Sequence, residues 1–390
     1  MEVPTGYTVR FYPYIESGTL TVDWGDGTLD TVSSTGKQEV SYTYAGYGEY
    51  TVKMKISDGG SWYIPDYFCN GSGGCYYLIR ARIAGVKKLN NSAFQYQHGL
   101  RTVTLSRDIE SMGEQIFQEN RSLVAFVFPD SITSISRNMF YYCYGLARVV
   151  FPDTITAIPD YCCYYCYTLD GVTIPNDVTT IGNGSFYCCW ALKNVRFPAT
   201  LTQINYEAFR DCYSLRDVKF PDGLVHLGDR AFYNNYALGD IHLPDSITSL
   251  GSELFAYNRA MRHINIPAGM TSIPNYFCSC CYGLESIEIP AHITNIGDYA
   301  FRECYCLKNV TFHSGITNIR SRAFAYCYSM QNYYSKRTTP PTLGSSNVFE
   351  GIPGSCTIWV PASTDRTVLT AYKTASNWSN YANYMKEKEY

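Results

Sequence analysis

A repeat of 23 residues runs through the chain and constrains its fold more than any other sequence feature. A Phe or Cys anchor recurs at this interval without any insertion, and the anchors are Phe94, Phe117, Phe140, Cys163, Phe186, Phe209, Phe232, Phe255, Cys278, Phe301 and Phe324. A unit of this length cannot bury an apolar face by itself, whereas stacked units bury it between neighbours. The sequence therefore predicts a solenoid in which equivalent residues form columns.

Each unit contains a short strand with one buried face. In the unit that begins at Phe140, the apolar residues Val149 and Phe151 alternate with outward positions, and Pro152 ends the strand. Alternation with a period of two is typical of a half-buried strand. The eighth and tenth residues after each anchor are therefore expected on an outer sheet face. The polar residues predicted there as partner-binding are Arg196, Asp217, Asp240, His242 and His263.

The histidines and carboxylates of this face leave two interpretations open. Such groups are common metal ligands and proton carriers, so a metal or acid–base site is conceivable. A solvated polar face with cross-strand charge pairs is the simpler interpretation. No nucleophile–base arrangement accompanies them, so we expect no catalytic residues, no metal and no cofactor.

The third residue after each anchor accounts for many of the 16 cysteines. This column reads Gln97, Asn120, Cys143, Cys166, Cys189, Cys212, Asn235, Asn258, Cys281, Cys304 and Cys327. Small side chains that can hydrogen-bond a turn backbone suit such a buried slot. The C-x-x-C pairs Cys163/Cys166 and Cys278/Cys281 then arise where Cys also occupies the anchor. A zinc site needs four convergent ligands, which parallel columns do not supply, so we interpret both pairs as core.

Seven cysteines lie outside the two columns. Cys69 and Cys75 flank a Gly-rich loop that would allow a disulfide between them. The others are expected to be free thiols, and they are Cys162, Cys188, Cys280, Cys306 and Cys356.

The fourth residue after each anchor is aromatic in most units. Tyr and Trp offer large, rigid contact area at low entropic cost, as in protein-binding hot spots. The aromatic members predicted to bind a partner are Tyr144, Tyr167, Trp190, Tyr213, Tyr236, Tyr282 and Tyr305, and Tyr328 extends the same column. A purely structural ladder, in which the rings stack and cover the edge of the core, is the alternative. Both interpretations can hold for one ladder.

Composition excludes several classes of function. The net charge of −3 gives no electrostatic footprint for nucleic acid, and no apolar run is long enough to span a membrane. The N-terminal segment lacks the basic and apolar regions of a secretory signal. Either the protein stays inside the cell, or this chain is a mature form.

The repeat pattern resembles a known family. The stretch FRDCYSLRDVKFPDGLVHLGDRAF, residues 209–232, is similar to the BspA-like leucine-rich repeats of bacterial surface proteins in repeat length, in the C/N turn position and in the strand that ends before proline. The resemblance implies a right-handed leucine-rich-repeat solenoid, mainly β with short turns and 3-10 segments, and a parallel sheet on its concave face. It also implies adhesion to host proteins or neighbouring cells.

The N-terminal segment resembles a second family. LTVDWGDGT at residues 20–28 and YTYAGYGEYTVKM at residues 42–54 are similar to the PKD domain, an immunoglobulin-like β-sandwich. Asp23 and Asp26 suggest calcium, but a turn-stabilising role for Asp26 between two glycines is simpler. The predicted domains are a PKD-like module at residues 1–60, the solenoid at 61–335 and a C-terminal cap at 336–390. In the cap we expect a strand and a short helix, with helical spacing at Leu369, Tyr372, Trp378, Tyr381 and Met385.

These features favour a non-enzymatic, extracellular or cell-surface recognition protein, expected to be monomeric. It would bind a protein of a host or neighbouring cell through the concave face and the tyrosine-rich rim. A carbohydrate-binding module whose aromatic ladder stacks on sugar rings is the alternative, and a purely structural spacer is a third possibility.

Overall fold

The computed structural model describes residues 1–69 and 78–390, which form two compact units, residues 1–192 and residues 193–390. The first unit begins with small antiparallel sheets. Their strands are Glu2–Val3, Thr8–Phe11, Tyr14–Ser17, Leu20–Asp23, Leu29–Val32, Gly36–Lys37, Val40–Thr43, Gly48–Glu49, Lys53–Ile56 and Ser61–Tyr63. The predicted small β module at the N-terminus is therefore plausible, although its assignment to the PKD family and its end at residue 60 stay predictions.

The WGDGT segment is organised around a buried tryptophan. The Trp24 indole Nε1–H donates to Asp30 Oδ2 at 2.7 Å, and the buried Tyr44 hydroxyl donates to the Trp24 carbonyl at 2.8 Å. Asp26 Oδ1 accepts the Thr28 N–H at 3.0 Å. This bond confirms the predicted turn-stabilising role of Asp26.

The rest of the first unit and the second unit are stacked repeats with parallel sheets, so the predicted β-solenoid of leucine-rich-repeat type is confirmed. The predicted strand follows the turn in most repeats. In the first unit these strands are Arg80–Ile83, Thr102–Leu105, Ala125–Val127, Arg148–Val150 and Gly171–Thr173; in the second they are Asn194–Arg196, Ser286–Glu288, Asn309–Phe312, Asn332–Ser335, Thr357–Pro361 and Met385–Lys388. Residues at the same repeat position pair across neighbouring strands, so that Ala125 pairs with Arg148 and Phe126 with Val149. The inward residues Phe126 and Val149 are buried.

A second series of two-residue strands lies later in the repeats, and the sequence analysis did not predict it. In the first unit its members are Lys88–Leu89, Ser111–Met112, Ala157–Ile158 and Thr180–Ile181; in the second they are Gln203–Ile204, His226–Leu227, Ser249–Leu250, Ser272–Ile273, Asn295–Ile296, Asn318–Ile319 and Thr342–Leu343. Neighbouring members pair in parallel, as Asn295 does with Asn318. The sequence pattern that indicates these strands is a recurring Thr-x-Ile, in which Ile is the buried residue.

The turns around the anchors carry a backbone ladder of their own. In each repeat the residues two before and two after the anchor have a left-handed backbone, with φ between 52° and 67°, and all but Gly184 carry a side chain. In the repeat of Phe140, the N–H groups of Asn138, Phe140 and Tyr142 donate to carbonyls of the next repeat at 3.1, 2.8 and 2.8 Å. A left-handed conformation costs a side-chain-bearing residue about 1–2 kcal/mol. These hydrogen bonds between repeats offset that cost.

The Cys/Asn slot links each repeat to the one before it. The Cys166 thiol donates to the Phe140 carbonyl at 3.3 Å, and the Cys281 thiol donates to the Phe255 carbonyl at 3.0 Å. Asn258 makes the same bond, from Nδ2 to the Phe232 carbonyl at 3.0 Å, and its Oδ1 also accepts the Asn235 N–H at 2.8 Å. The predicted role of this column as a buried hydrogen-bonding slot is confirmed.

The choice between Cys and Asn determines where one backbone N–H points. Where the next repeat supplies Cys, the N–H of the slot residue turns to its own anchor, as Cys143 N–H does to the Phe140 carbonyl at 3.0 Å. Where the next repeat supplies Asn, the amide oxygen takes that N–H instead, as Asn120 does for Gln97 at 2.8 Å. A thiol is a weaker acceptor than an amide oxygen, so Cys is a poorer partner than Asn for this N–H.

Aromatic side chains close the C-terminal end of the second unit. The α-helix spans Thr367–Thr374 and a 3-10 helix spans Trp378–Tyr384. The buried Trp378 donates its indole N–H to the Pro341 carbonyl at 2.7 Å. The expected strand and short helix are thus present, but Met385 lies in the last strand rather than in a helix. The helical spacing fails because the α-helix ends at Thr374, where Ala375 is extended, and because Met385 is extended after the 3-10 helix.

Candidate recognition surface

The fourth residues after the anchors form a stacked column, which we call the rim ladder (Arg121, Tyr144, Tyr167 and Trp190 in the first unit). Tyr144 and Tyr167 have ring centroids 4.9 Å apart at 10°, and Tyr167 and Trp190 are 3.9 Å apart at 23°. The Arg121 guanidinium lies 5.6 Å from the Tyr144 centroid. These residues enter the sheet from a turn, as predicted, and the repeat spacing places each ring on the next.

The second unit has rim-ladder residues of its own at the same repeat position, and they are Tyr213, Tyr236, Arg259, Tyr282, Tyr305 and Tyr328. Tyr213 stacks on Tyr236 at 4.9 Å, Tyr282 on Tyr305 at 4.5 Å, and Tyr305 on Tyr328 at 5.3 Å. The Arg259 guanidinium lies 4.6 Å from the Tyr236 centroid and 5.3 Å from that of Tyr282. A planar guanidinium thus replaces an aromatic ring in the stack.

Stacking determines which part of each ring meets solvent. Faces that lie 4 to 5 Å from a neighbouring ring are covered, so the ladder presents mainly ring edges and hydroxyl groups. Trp190, Tyr236 and Tyr328 are the most open aromatic members, with exposed fractions of 40%, 38% and 57%. The predicted structural ladder is therefore present, and it keeps an accessible edge.

A second column of stacked rings lies beside the rim ladder in the first unit, and we call it the turn ladder (Tyr141, Tyr164 and Tyr187). Its centroid distances are 4.7 Å at 3° and 4.6 Å at 21°. Tyr165 connects the two ladders, because its ring contacts Tyr164 at 4.6 Å and Tyr167 at 5.6 Å. Burial raises the pKa of Tyr141 and of Tyr164, so the phenols stay protonated at neutral pH.

The predicted sheet-face residues Arg196, Asp217, Asp240, His242 and His263 are all exposed in the second unit. The structure joins two of them: His263 Nδ1 lies 3.1 Å from Asp240 Oδ2, and the His263 N–H donates to Asp240 Oδ1 at 2.9 Å. Partial burial acts to raise the pKa of Asp240, but these hydrogen bonds outweigh it and lower the pKa below its usual value. Within residues 1–69 and 78–390, no three His, Cys, Asp or Glu side chains are grouped so that they could hold a metal ion.

The C-x-x-C pairs belong to the core. Cys163, Cys166, Cys278 and Cys281 are buried free thiols, and each of the two slot thiols donates to a different carbonyl. The interpretation of both pairs as core columns is confirmed. Cys69 is buried, whereas Cys75 lies outside the described residues and the predicted Cys69–Cys75 disulfide stays a prediction. Of the cysteines expected as free thiols, Cys162, Cys188, Cys280 and Cys356 are buried and Cys306 is exposed.

Sequence reasoning missed one cleft in the second unit. It has a volume of about 350 Å³ and is lined by Tyr276, Tyr299, Arg302, Arg322 and Tyr326. Tyr276 and Tyr299 stack at 4.6 Å, and Arg322 Nη1 donates to the Tyr299 hydroxyl at 3.2 Å. The sequence did indicate that three of these residues lie together, since Tyr276, Tyr299 and Arg322 share one repeat position, two residues before an anchor.

Comparison with known proteins identifies the repeats. A family model described as "BspA type Leucine rich repeat region" matches residues 74–191, 179–301 and 271–365, which together cover most of the chain. The chain belongs to the BspA-type leucine-rich repeat family. No curated protein matches this BspA-type chain.

Solved structures agree with this fold. The chain is 20% identical to a leucine-rich repeat protein from Bacteroides ovatus, with a TM-score of 0.54 and coverage of 86% of this chain and 97% of that one. It is 19% identical to a leucine-rich repeat protein from Eubacterium ventriosum, with a TM-score of 0.52 and coverage of 92% of this chain and 97% of that one. A leucine rich cell surface protein from Faecalibacterium prausnitzii is 22% identical, with a TM-score of 0.43 and coverage of 72% and 92%. Within the described residues, no helix is long and apolar enough to cross a bilayer.

Proposed function

We propose that this BspA-type protein is a non-enzymatic recognition or adhesion protein. It would act outside the cell or at the cell surface, and bind a protein partner through the outer sheet face and the rim ladder. The proposed contact residues are Tyr144, Tyr167, Trp190, Tyr213, Tyr236, Tyr282 and Tyr305 on the rim and Arg196, Asp217, Asp240, His242 and His263 on the sheet. The rim ladder carries the proposal.

The physical support is that the ladder is rigid before it binds. Each ring is held by its neighbours at 3.9–5.3 Å, so binding orders few rotamers and loses little entropy. Aromatic edges with hydroxyl groups combine apolar contact with hydrogen bonding, which is the chemistry of protein hot spots. The exposed polar residues on the sheet add groups that can discriminate between partners.

The carbohydrate alternative requires ring faces. A sugar stacks on the face of an aromatic side chain, and in this ladder most faces are covered by the next ring. The edges that remain suit a protein surface better than a sugar ring. Covered faces therefore favour a protein partner.

The test is binding of the purified full chain to an array of extracellular-matrix and cell-surface proteins, with a glycan array in parallel. After a protein ligand is found, Trp190→Ala and Tyr236→Ala are each expected to weaken its Kd by roughly 10- to 100-fold, corresponding to about 1.4–2.7 kcal/mol. Tyr47→Ala is the matched control, because Tyr47 is 68% exposed but lies outside the ladder.

Two results would contradict the proposal. One is a protein ligand whose Kd is unchanged by both rim substitutions in correctly folded variants. The other is a signal on the glycan array alone, which would support the carbohydrate alternative. Binding to neither array would favour the spacer interpretation.

A further inference from the structure

Stacked tyrosine pairs recur along this chain at a separation of one repeat. Tyr141 and Tyr164 lie 4.7 Å apart at 3°, Tyr276 and Tyr299 lie 4.6 Å apart at 4°, and Tyr282 and Tyr305 lie 4.5 Å apart at 4°. Each pair belongs to a single compact unit. Their near-parallel planes at these separations bring the two phenol rings of each pair into contact.

This geometry is fixed by the backbone. In the first unit, the Tyr142 N–H donates to the Tyr164 carbonyl at 2.8 Å, and the Phe140 N–H donates to the Cys162 carbonyl at 2.8 Å. The turns that carry Tyr141 and Tyr164 are thus tied together on both sides. The phenols themselves are half-buried on the turn surface, so they can move against each other without disturbing the core.

Parallel phenols at this distance are arranged for oxidative coupling. A one-electron oxidant removes an electron and the hydroxyl proton from a tyrosine, and the resulting phenoxyl radical carries much of its spin on the carbons ortho to oxygen. When two such radicals are neighbours in a stack, a rotation of the side chains brings an ortho carbon of one onto an ortho carbon of the other. Coupling is then intramolecular and has a high effective concentration.

We propose that the stacked tyrosine pairs are modification sites, at which a haem peroxidase with hydrogen peroxide joins adjacent repeats by dityrosine bonds. Two phenols lose two electrons and two protons, and a carbon–carbon bond forms between their ortho carbons. The two ortho hydrogens then move to the oxygens and restore the aromatic rings. Hydrogen peroxide accepts the two electrons and two protons and becomes two molecules of water.

The competing outcome is oxidation that follows exposure instead of stacking. Among the tyrosines that the structure describes, Tyr47, Tyr328 and Tyr390 are the most exposed, at 68%, 57% and 57%. If exposure governed the reaction, these residues would couple first, between separate molecules. Stacking instead predicts bonds within one molecule between tyrosines 23 residues apart in sequence, as Tyr141 and Tyr164 are.

The test treats the full chain at low concentration with a haem peroxidase and hydrogen peroxide. It uses a Cys306→Ser background, which removes the thiol that is exposed among the described residues. The monomer fraction is isolated and its peptides are mapped by mass spectrometry. The expected product is a linked peptide pair containing Tyr141 and Tyr164, lighter by two hydrogen atoms, together with dityrosine fluorescence. The equivalent pair containing Tyr276 and Tyr299 is expected from the second unit.

Phenylalanine variants provide the matched controls, because Phe keeps the stack but cannot form a phenoxyl radical. Tyr164→Phe should abolish the links to Tyr141 and Tyr187 and leave the pair of Tyr276 with Tyr299 intact, and Tyr276→Phe should do the reverse. Tyr47→Phe should leave both intact. Circular dichroism verifies that each variant is folded.

Two results would overturn the proposal: dityrosine found only in dimers and larger species, or a monomer signal that Tyr164→Phe and Tyr276→Phe leave unchanged. A covalent bond between repeats also constrains the unfolded chain, as a disulfide does. The oxidised monomer is therefore expected to unfold at a higher temperature than the untreated one, and an unchanged or lower midpoint would contradict the assignment of the bonds to adjacent repeats.

Discussion

Replacement of Asn258 tests the hydrogen-bonding logic of the core slot. Asn258 is fully buried, donates to the Phe232 carbonyl at 3.0 Å and accepts the Asn235 N–H at 2.8 Å. Asn258→Ala removes both bonds and leaves a small void. Asn258→Cys keeps a donor for the Phe232 carbonyl. The freed Asn235 N–H can turn to the carbonyl of its own anchor, Phe232, as the Cys143 N–H turns to Phe140.

The expected magnitudes differ between the two substitutions. A typical buried hydrogen bond contributes about 0.5–1.5 kcal/mol net, and a buried group left without a partner costs about 1–3 kcal/mol. In Asn258→Ala two bonds are lost, one is recovered when the N–H turns, and the removed amide leaves a void, so we expect about 2–3 kcal/mol. For Asn258→Cys we expect less than about 1.5 kcal/mol.

Urea unfolding followed by circular dichroism measures the difference. Repeat arrays do not always unfold in a single step, so hydrogen exchange at the Asn235 amide supplies a local readout. That amide should exchange fastest in Asn258→Ala. The reasoning is refuted if Ala and Cys cost the same, or if Ala costs less than about 0.5 kcal/mol.

Three further predictions concern the buried core. Burial raises the pKa of Cys166 and of Cys327 to about 12, whereas a thiol in the unfolded chain titrates near 8.5. The contribution of these thiols to the free energy of unfolding is therefore fully present below about pH 8.5. It falls as pH rises towards 12, by up to about 1.4 kcal/mol per pH unit for each thiol. Urea midpoints at pH 8 and pH 9.5 that coincide would contradict this. At Gly251 an added Cβ would lie 2.2 Å from a backbone nitrogen, so Gly251→Ala should cost about 1–3 kcal/mol in thermal unfolding, and an unchanged midpoint would mean that the repeats separate easily. Trp378→Ala empties the centre of the C-terminal cap and should cost about 3–5 kcal/mol, as judged by denaturant titration; a cost below about 1 kcal/mol would show that the cap does not stabilise the last repeats.

Periodicity made much of the fold predictable. The 23-residue interval assigned Phe140 and Val149 to the core, Cys166 and Asn258 to one slot, and Tyr167 to the rim. It did so because a solenoid repeats in one dimension, so that equal spacing in sequence becomes alignment in space. The same logic separated the C-x-x-C pairs from zinc sites.

Other features were outside the reach of sequence. The residue types at positions such as Tyr142 and Glu303 did not predict their left-handed backbone, because left-handed positions usually carry Gly or Asn. The end of the C-terminal α-helix at Thr374 was hidden by an apolar spacing that two short helices satisfy as well as one.

The sequence by itself determined the stacked repeats, their register and the columns that line the core and the rim. Only the tertiary structure decided that the rim rings lie face to face, that Arg259 continues their stack, and that His263 pairs with Asp240. The physical reason is that register follows from the spacing of residues along the chain. Ring orientation and side-chain pairing depend on the separation and packing of neighbouring repeats, which no single repeat encodes.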